Sequence, residues 1–228
     1  MKLLGVNDAK TPKGEKLGYL TGVLYLIPDD RLCPMSKLAG CREPCLVTSG
    51  RGRMKNVVAG RQRKTQLFKD SPANFVELLT KDIKALERAA ERRSLTPVVR
   101  LNGTSDIAWE NVQGVDGTTL MERFPHLQFY DYTKLPTRKV PENYHLTVSY
   151  SGANPDYADK ALNTKHNVAV VFGDGKPTTW QGREVVDGDA HDLRFLDESG
   201  VVVGLKPKGD AKHDTSGFVV YNDILARG

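Results

Sequence analysis

At 228 residues, with 39% hydrophobic and 27% charged side chains, the chain has the composition of an ordinary folded protein and not of a disordered or fibrous one. No apolar run approaches the roughly 20 residues of a membrane-spanning helix, and Met1-Lys2-Leu3-Leu4-Gly5-Val6-Asn7-Asp8 turns polar before a secretory core forms, so a cytoplasmic location with no membrane partner is expected. A net charge of +5 permits contact with nucleic acid or another anion without requiring it.

The first apolar run, from Tyr19 to Ile27, is bounded by Pro28-Asp29-Asp30 and reads as a buried strand. From Asn74 to Arg93, the residues Phe75, Leu79, Ile83, Leu86 and Ala90 recur at helical spacing with charges between them. Pro97 marks the change to a second strand, Val98 to Leu101, which runs out into Asn102-Gly103-Thr104-Ser105-Asp106. A short helix near Leu120 to Arg123 precedes a third strand, Leu127 to Tyr132, and a fourth spans Tyr144 to Tyr150. A helix near Asp156 to Thr164 leads to a fifth strand, Asn167 to Phe172, and further strand character appears at Leu193 to Leu196 and Val201 to Leu205. Strands alternating with helices imply an α/β fold. The expected form is a TIM-like or partial (β/α) barrel of mainly parallel strands, with residues 1–228 as one domain; an open doubly wound sheet is the alternative.

Every thiol lies in one segment, Cys33-Pro34-Met35-Ser36-Lys37-Leu38-Ala39-Gly40-Cys41-Arg42-Glu43-Pro44-Cys45, directly after the first strand. Three cysteines in a chain with no secretion signal suit a disulfide framework poorly, whereas soft thiolates on one loop suit zinc or an iron–sulfur cluster. Structural zinc calls for a fourth Cys or His, and none of the five histidines is near in sequence. A [4Fe-4S] cluster with one open iron, or a [3Fe-4S] cluster, requires only Cys33, Cys41 and Cys45. Buried or free thiols are the bland alternative.

Residues at strand ends are candidates for binding a cofactor: Asp106 and Asp131 foremost, joined by Asn102, Ser149 and Lys206. A buried ion pair of Asp106 with Arg100, or a helix cap by Asp131, explains the acids without a ligand. Arg51, Arg53, Lys55, Arg61, Arg63 and Lys64 form a basic run that reads as a solvated face, a phosphate site, or a set of charges raising a cluster's potential. Asp187, Asp189, His191 and Asp192 form an acidic group beside a turn, with a hard cation as the sharper reading.

A three-cysteine loop after the first strand resembles radical S-adenosylmethionine barrel enzymes, although the spacing here is C-x7-C-x3-C in place of that family's C-x3-C-x2-C, and Pro44 stands where it carries an aromatic residue. The resemblance places Asn102-Gly103-Thr104-Ser105-Asp106 where those enzymes hold the methionine amine, so Gly103 joins the cofactor-binding candidates; the departures disfavour S-adenosylmethionine itself. Across most of the chain, Tyr19-Leu20-Thr21-Gly22, Gly40-Cys41-Arg42-Glu43-Pro44-Cys45-Leu46, Val99 to Asp106, Phe129 to Lys134 and Asp187-Gly188-Asp189 resemble a phage protein family labelled gene product 88-like. That resemblance implies a virus-encoded protein in the bacterial host cytoplasm. The combined expectation is an iron–sulfur protein, redox or radical-SAM-like, with an electron donor or small-molecule ligand as partner. The competing expectation is a metal-stabilised nucleic-acid-binding protein of phage replication or regulation.

Overall fold

The computed structural model describes residues 1–6 and 11–221. Short elements β1 (Leu4–Gly5) and α1 (Thr11–Glu15) lead into β2 (Tyr19–Leu24), which stops three residues short of the expected Ile27. The chain then runs irregularly through the cysteines to α2 (Lys55–Asp70), a helix where the sequence pattern shows only a basic run. Only Thr65 and Phe68 of α2 are buried, so its apolar stripe is too thin to stand out among Arg61, Arg63 and Lys64. Ser71 separates it from α3 (Pro72–Glu91), where proline occupies the first turn because its missing N–H would have no partner there. The face of α3 formed by Phe75, Val76, Leu79, Ile83, Leu86 and Ala90 is buried, as the helical spacing predicts.

Next come β3 (Thr96–Arg100), α4 (Leu120–Arg123), β4 (Gln128–Thr133), β5 (Tyr144–Ser149), α5 (Pro155–Leu162) and β6 (Asn167–Phe172). Thr119 and Glu122 close a capping box on α4, and the Asn154 side chain accepts from the Tyr157 N–H to start α5. The last strands are β7 (Thr179–Trp180), β8 (Arg183–Asp187), β9 (Val202–Leu205) and β10 (Val219–Val220). The strand expected at Leu193 to Leu196 is instead a 3-10 turn, Arg194–Leu196. Leu193 and Phe195 pack on Tyr19, Val98 and Tyr130 while Arg194 is itself fully buried, so the alternation records a covering segment and not a paired strand.

The described residues form a mixed α/β architecture whose ten-stranded sheet is mostly parallel and not closed, in the order β1-β2-β3-β4-β5-β6-β9-β8-β7, with β10 beside β6. Every pairing from β2 to β8 is parallel; only the two-residue edge strands β1 and β7 pair antiparallel. From β2 to β6 the spatial order follows the chain, without the reversal that marks a doubly wound switch point. Alternation splits the strands between two faces. Leu20, Leu24, Val99, Phe129, Tyr144 and Leu146 join Phe68 of α2 and the buried face of α3 in the largest core, whereas Tyr19, Val98 and Tyr130 face the Leu193–Phe195 cover. Because β2 to β6 are parallel, their C-terminal ends share one rim, and the cysteine loop leaves from it.

Candidate metal centre

Hydrogen bonds stitch the loop after β3 to the start of the cysteine segment. Gly103 N–H donates to Leu24 O at 3.0 Å, Thr104 Oγ1 to Leu26 O at 2.5 Å and Asp106 N–H to Leu32 O at 2.8 Å. Within the segment, Cys33 N–H donates to Asp29 O at 2.8 Å and Cys41 N–H to Ser36 O at 3.1 Å. Asp29 accepts from the Arg31 and Leu32 N–H groups and pairs with Lys69 of α2, anchoring the loop to that helix.

Cys33, Cys41 and Cys45 are all half-buried and none is in a disulfide. Burial pushes the Cys33 thiol up to about 12, reinforced by the charges of Asp106, Cys45 and Cys41. It also raises Cys41, against the pull of Lys134, and Cys45, against a bond from the Val47 N–H and the charge of Arg61. The sulfurs therefore feel one another, and the bare pocket holds them as neutral thiols; a metal must displace their protons to bind. Among the described residues, no group of three or more Cys, His, Asp or Glu side chains is gathered as a site for one metal ion. Three thiols are soft donors of the type from which zinc sites and iron–sulfur clusters are built.

Asp106, placed at the rim as its strand-end position predicts, lies beside the thiols. Burial raises its carboxyl, while bonds from the Lys134 N–H at 2.7 Å and Thr133 Oγ1 at 2.8 Å act in the opposite sense. Its ion-pair partner is Arg138, at 3.4 Å, and not Arg100. Lys134, immediately after β4, is a rim residue that the sequence reading passed over. Its Nζ donates to Ser149 O at 2.8 Å and Tyr150 O at 3.0 Å and sits 4.6 Å from the Phe218 ring centre. Burial lowers its pKa to about 8, opposed by the negative charges of Cys41 and Asp106. Its position directly after an apolar parallel strand was the available signal.

The other candidates are engaged within the fold. Asn102 donates its N–H to Asp131 at 2.7 Å, and its side-chain oxygen accepts from Ser105 Oγ, the Ile107 N–H and Trp109 Nε1. Asp131 also accepts from the Tyr144 hydroxyl at 2.7 Å; burial raises its carboxyl to about 7. A Cβ on Gly103 would lie 2.6 Å from Tyr25 Cδ1 and 2.7 Å from Leu24 O, so close packing alone demands glycine there. Ser149 contributes its carbonyl to Lys134 and to the Tyr157 hydroxyl. Lys206 belongs to a separate cluster, donating its N–H to Asp189 at 2.9 Å.

The acidic group is occupied by cations. Burial alone would raise Asp189, but Lys208, the Lys206 N–H and Lys176 bring it down to about 2; Asp187 pairs with Lys176 and Asp192 with Arg100. The basic run is only partly a free face, since Arg53 pairs with Asp210, Arg61 lies over the Tyr25 ring and Lys64 Nζ donates to Leu3 O at 2.6 Å. A cleft of about 440 Å³ is lined among others by Arg31, Pro34, Phe68, Asp106, Ile107 and Leu135. No helix among the described residues is long and apolar enough to cross a membrane.

A mostly parallel α/β sheet carrying three cysteines, none in a disulfide, on a loop at its C-terminal rim defines the class of this protein. The chain belongs to the gene product 88 family of phage proteins, whose family model matches residues 1–222. No curated protein and no solved structure matches it, so the likeness to radical S-adenosylmethionine enzymes draws no support from known folds.

Proposed function

We propose that this is a phage-encoded iron–sulfur protein, in which Cys33, Cys41 and Cys45 hold a [4Fe-4S] or [3Fe-4S] cluster at the rim of a partial (β/α) barrel. The observation that carries the reading is the gathering of all three thiols, half-buried and mutually interacting, on one loop where parallel strands end. The unreversed order of β2 to β6 supports the partial barrel, because successive right-handed crossovers then place their helices on one face and curve the sheet. When bound, the cluster would supply one-electron chemistry or an open iron for a ligand. The chain's own residues do the rest: Asp29 and Asp106 fix the loop, Lys134 sets positive charge beside Cys41, and the cleft at Pro34 gives a small molecule access to the Cys33 side. Electron transfer or sensing fits this arrangement better than radical chemistry, since the amide of Asn102 and the space at Gly103 are already taken by the fold.

Anaerobic purification with iron, sulfide and zinc analysis tests the proposal. The parent protein should be brown with matched iron and sulfide, and Cys33→Ala, Cys41→Ala and Cys45→Ala should each lose both the metal and the visible absorbance. A full cluster retained by Cys41→Ala, or zinc in place of iron and sulfide, refutes the three-thiolate cluster.

A further inference from the structure

The surroundings of the thiols are not electrically neutral. Arg61 of α2 lies with its guanidinium 4.8 Å from the Tyr25 ring centre, and its Nη1 is buried with no hydrogen-bond partner. That nitrogen faces the turn just after Cys45: a Cβ on Gly52 would stand 3.4 Å from it and 2.4 Å from the Val47 carbonyl oxygen. Only glycine lets the turn close this tightly over the guanidinium. The Lys134 ammonium is enclosed by two carbonyls and by the rings of Tyr157 and Phe218, next to Cys41. The acids nearby offset part of this charge, because the single guanidinium of Arg138 is shared between Asp106 and Glu110, and Asp106 also acts on Lys134. Arg61, with a buried N–H that has no hydrogen-bond partner, is therefore the least offset cation beside the sulfurs, and Lys134 adds a second that Asp106 partly offsets.

We infer that Arg61 and Lys134 hold the proposed cluster at a raised potential, which makes the centre an electron acceptor or redox sensor and not a strong reductant. This rests on the cluster reading above. Reduction adds one electron and no proton, so fixed positive charge in a pocket with little water favours the reduced form. The electron comes from a reduced electron-carrier protein, which is oxidised in the exchange; no bond breaks. An unpartnered N–H of Arg61 beside Cys45 acts in the same sense, because hydrogen bonds toward cluster sulfurs also raise the potential.

The test is a dithionite redox titration of the anaerobically reconstituted full chain, followed by electron paramagnetic resonance, for the parent, Arg61→Gln, Arg61→Lys and Lys134→Met. Arg61→Gln should keep parental iron and sulfide yet shift the one-electron equilibrium toward the oxidised form at least tenfold, about 59 mV. Arg61→Lys, which keeps the charge, should recover most of that shift, and Lys134→Met should move the midpoint in the same direction as Arg61→Gln. Equal midpoints for parent and Arg61→Gln overturn the inference while leaving the cluster intact. Loss of iron from Arg61→Gln overturns it too, by assigning Arg61 to holding the loop. A parent protein that takes up no iron and sulfide sinks the cluster reading and this inference with it. Lys134 is fully enclosed, so if Lys134→Met does not fold, the half-exposed Arg61 decides the matter alone.

Discussion

Replacing Gly103 with alanine separates packing from ligand binding at the rim. The backbone of Gly103 is not left-handed, so alanine is conformationally permitted and the penalty is steric. The added methyl would meet Tyr25 Cδ1 at 2.6 Å, Tyr25 Cε1 at 2.7 Å and Leu24 O at 2.7 Å. The carbonyl cannot withdraw freely, because it accepts the Gly103 N–H at 3.0 Å and belongs to the end of β2. Overpacking of this kind costs about 1–3 kcal/mol, reduced by up to about 1 kcal/mol because alanine also stiffens the unfolded chain. Taking the middle of the overpacking range leaves a net loss of about 1–2 kcal/mol, so with a urea m-value of about 2 kcal/mol/M the midpoint should fall by roughly 0.5–1 M at unchanged m. The assay is urea unfolding of the metal-free protein. Tyr25→Leu combined with Gly103→Ala should recover part of the loss, since the ring contact is relieved and the carbonyl contact is not. An unchanged midpoint for Gly103→Ala refutes the packing account and returns Gly103 to the cofactor-binding candidates, where alanine would impair binding without touching the stability of the empty protein.

Asp131 links stability to pH. Its carboxyl titrates near 3.8 when unfolded and near 7 in the fold, so the folded state holds the extra proton and stability falls as pH rises through that window, by up to about 4 kcal/mol. Asp131→Asn should remove this slope, and parallel pH profiles for parent and variant would refute the assignment. Phe75, fully buried against Phe68 and Trp109, should cost about 3–5 kcal/mol on truncation to alanine, read as a lower urea midpoint; a loss below 1 kcal/mol would show that the α3 face is not packed as described. Titrating the reduced, cluster-loaded protein with S-adenosylmethionine should leave its resonance spectrum unchanged and yield no 5′-deoxyadenosine, and reductive cleavage would promote the enzyme reading in its place.

Periodicity is a local property, and what depended on it was legible. The α3 stripe, the strands at Tyr19, Val98, Leu127, Tyr144 and Asn167 and the helix α5 all lie close to their expected positions. Where a local pattern had two physical causes, the reading went astray. The alternation at Leu193 to Leu196 came from cover over a sheet face, and α2 hid its few buried residues among charges that fold back onto Tyr25 and Leu3.

By itself the sequence determined the composition of an ordinary folded protein, an alternating α/β order and the confinement of every thiol to one loop after the first long strand, because each follows from residue types and spacings along the chain. Only the tertiary structure decided what surrounds those thiols. Asp106, Lys134, Ser149 and Tyr157 are far apart in the chain and meet because parallel strands end on a common rim, while α2 brings Arg61 to the side of Cys45. Tertiary contact likewise engaged Asn102, Gly103, Asp131 and the acidic group with partners that no short motif names. Burial and charge pairing are sums over neighbours in space, and a chain read in one dimension does not contain them.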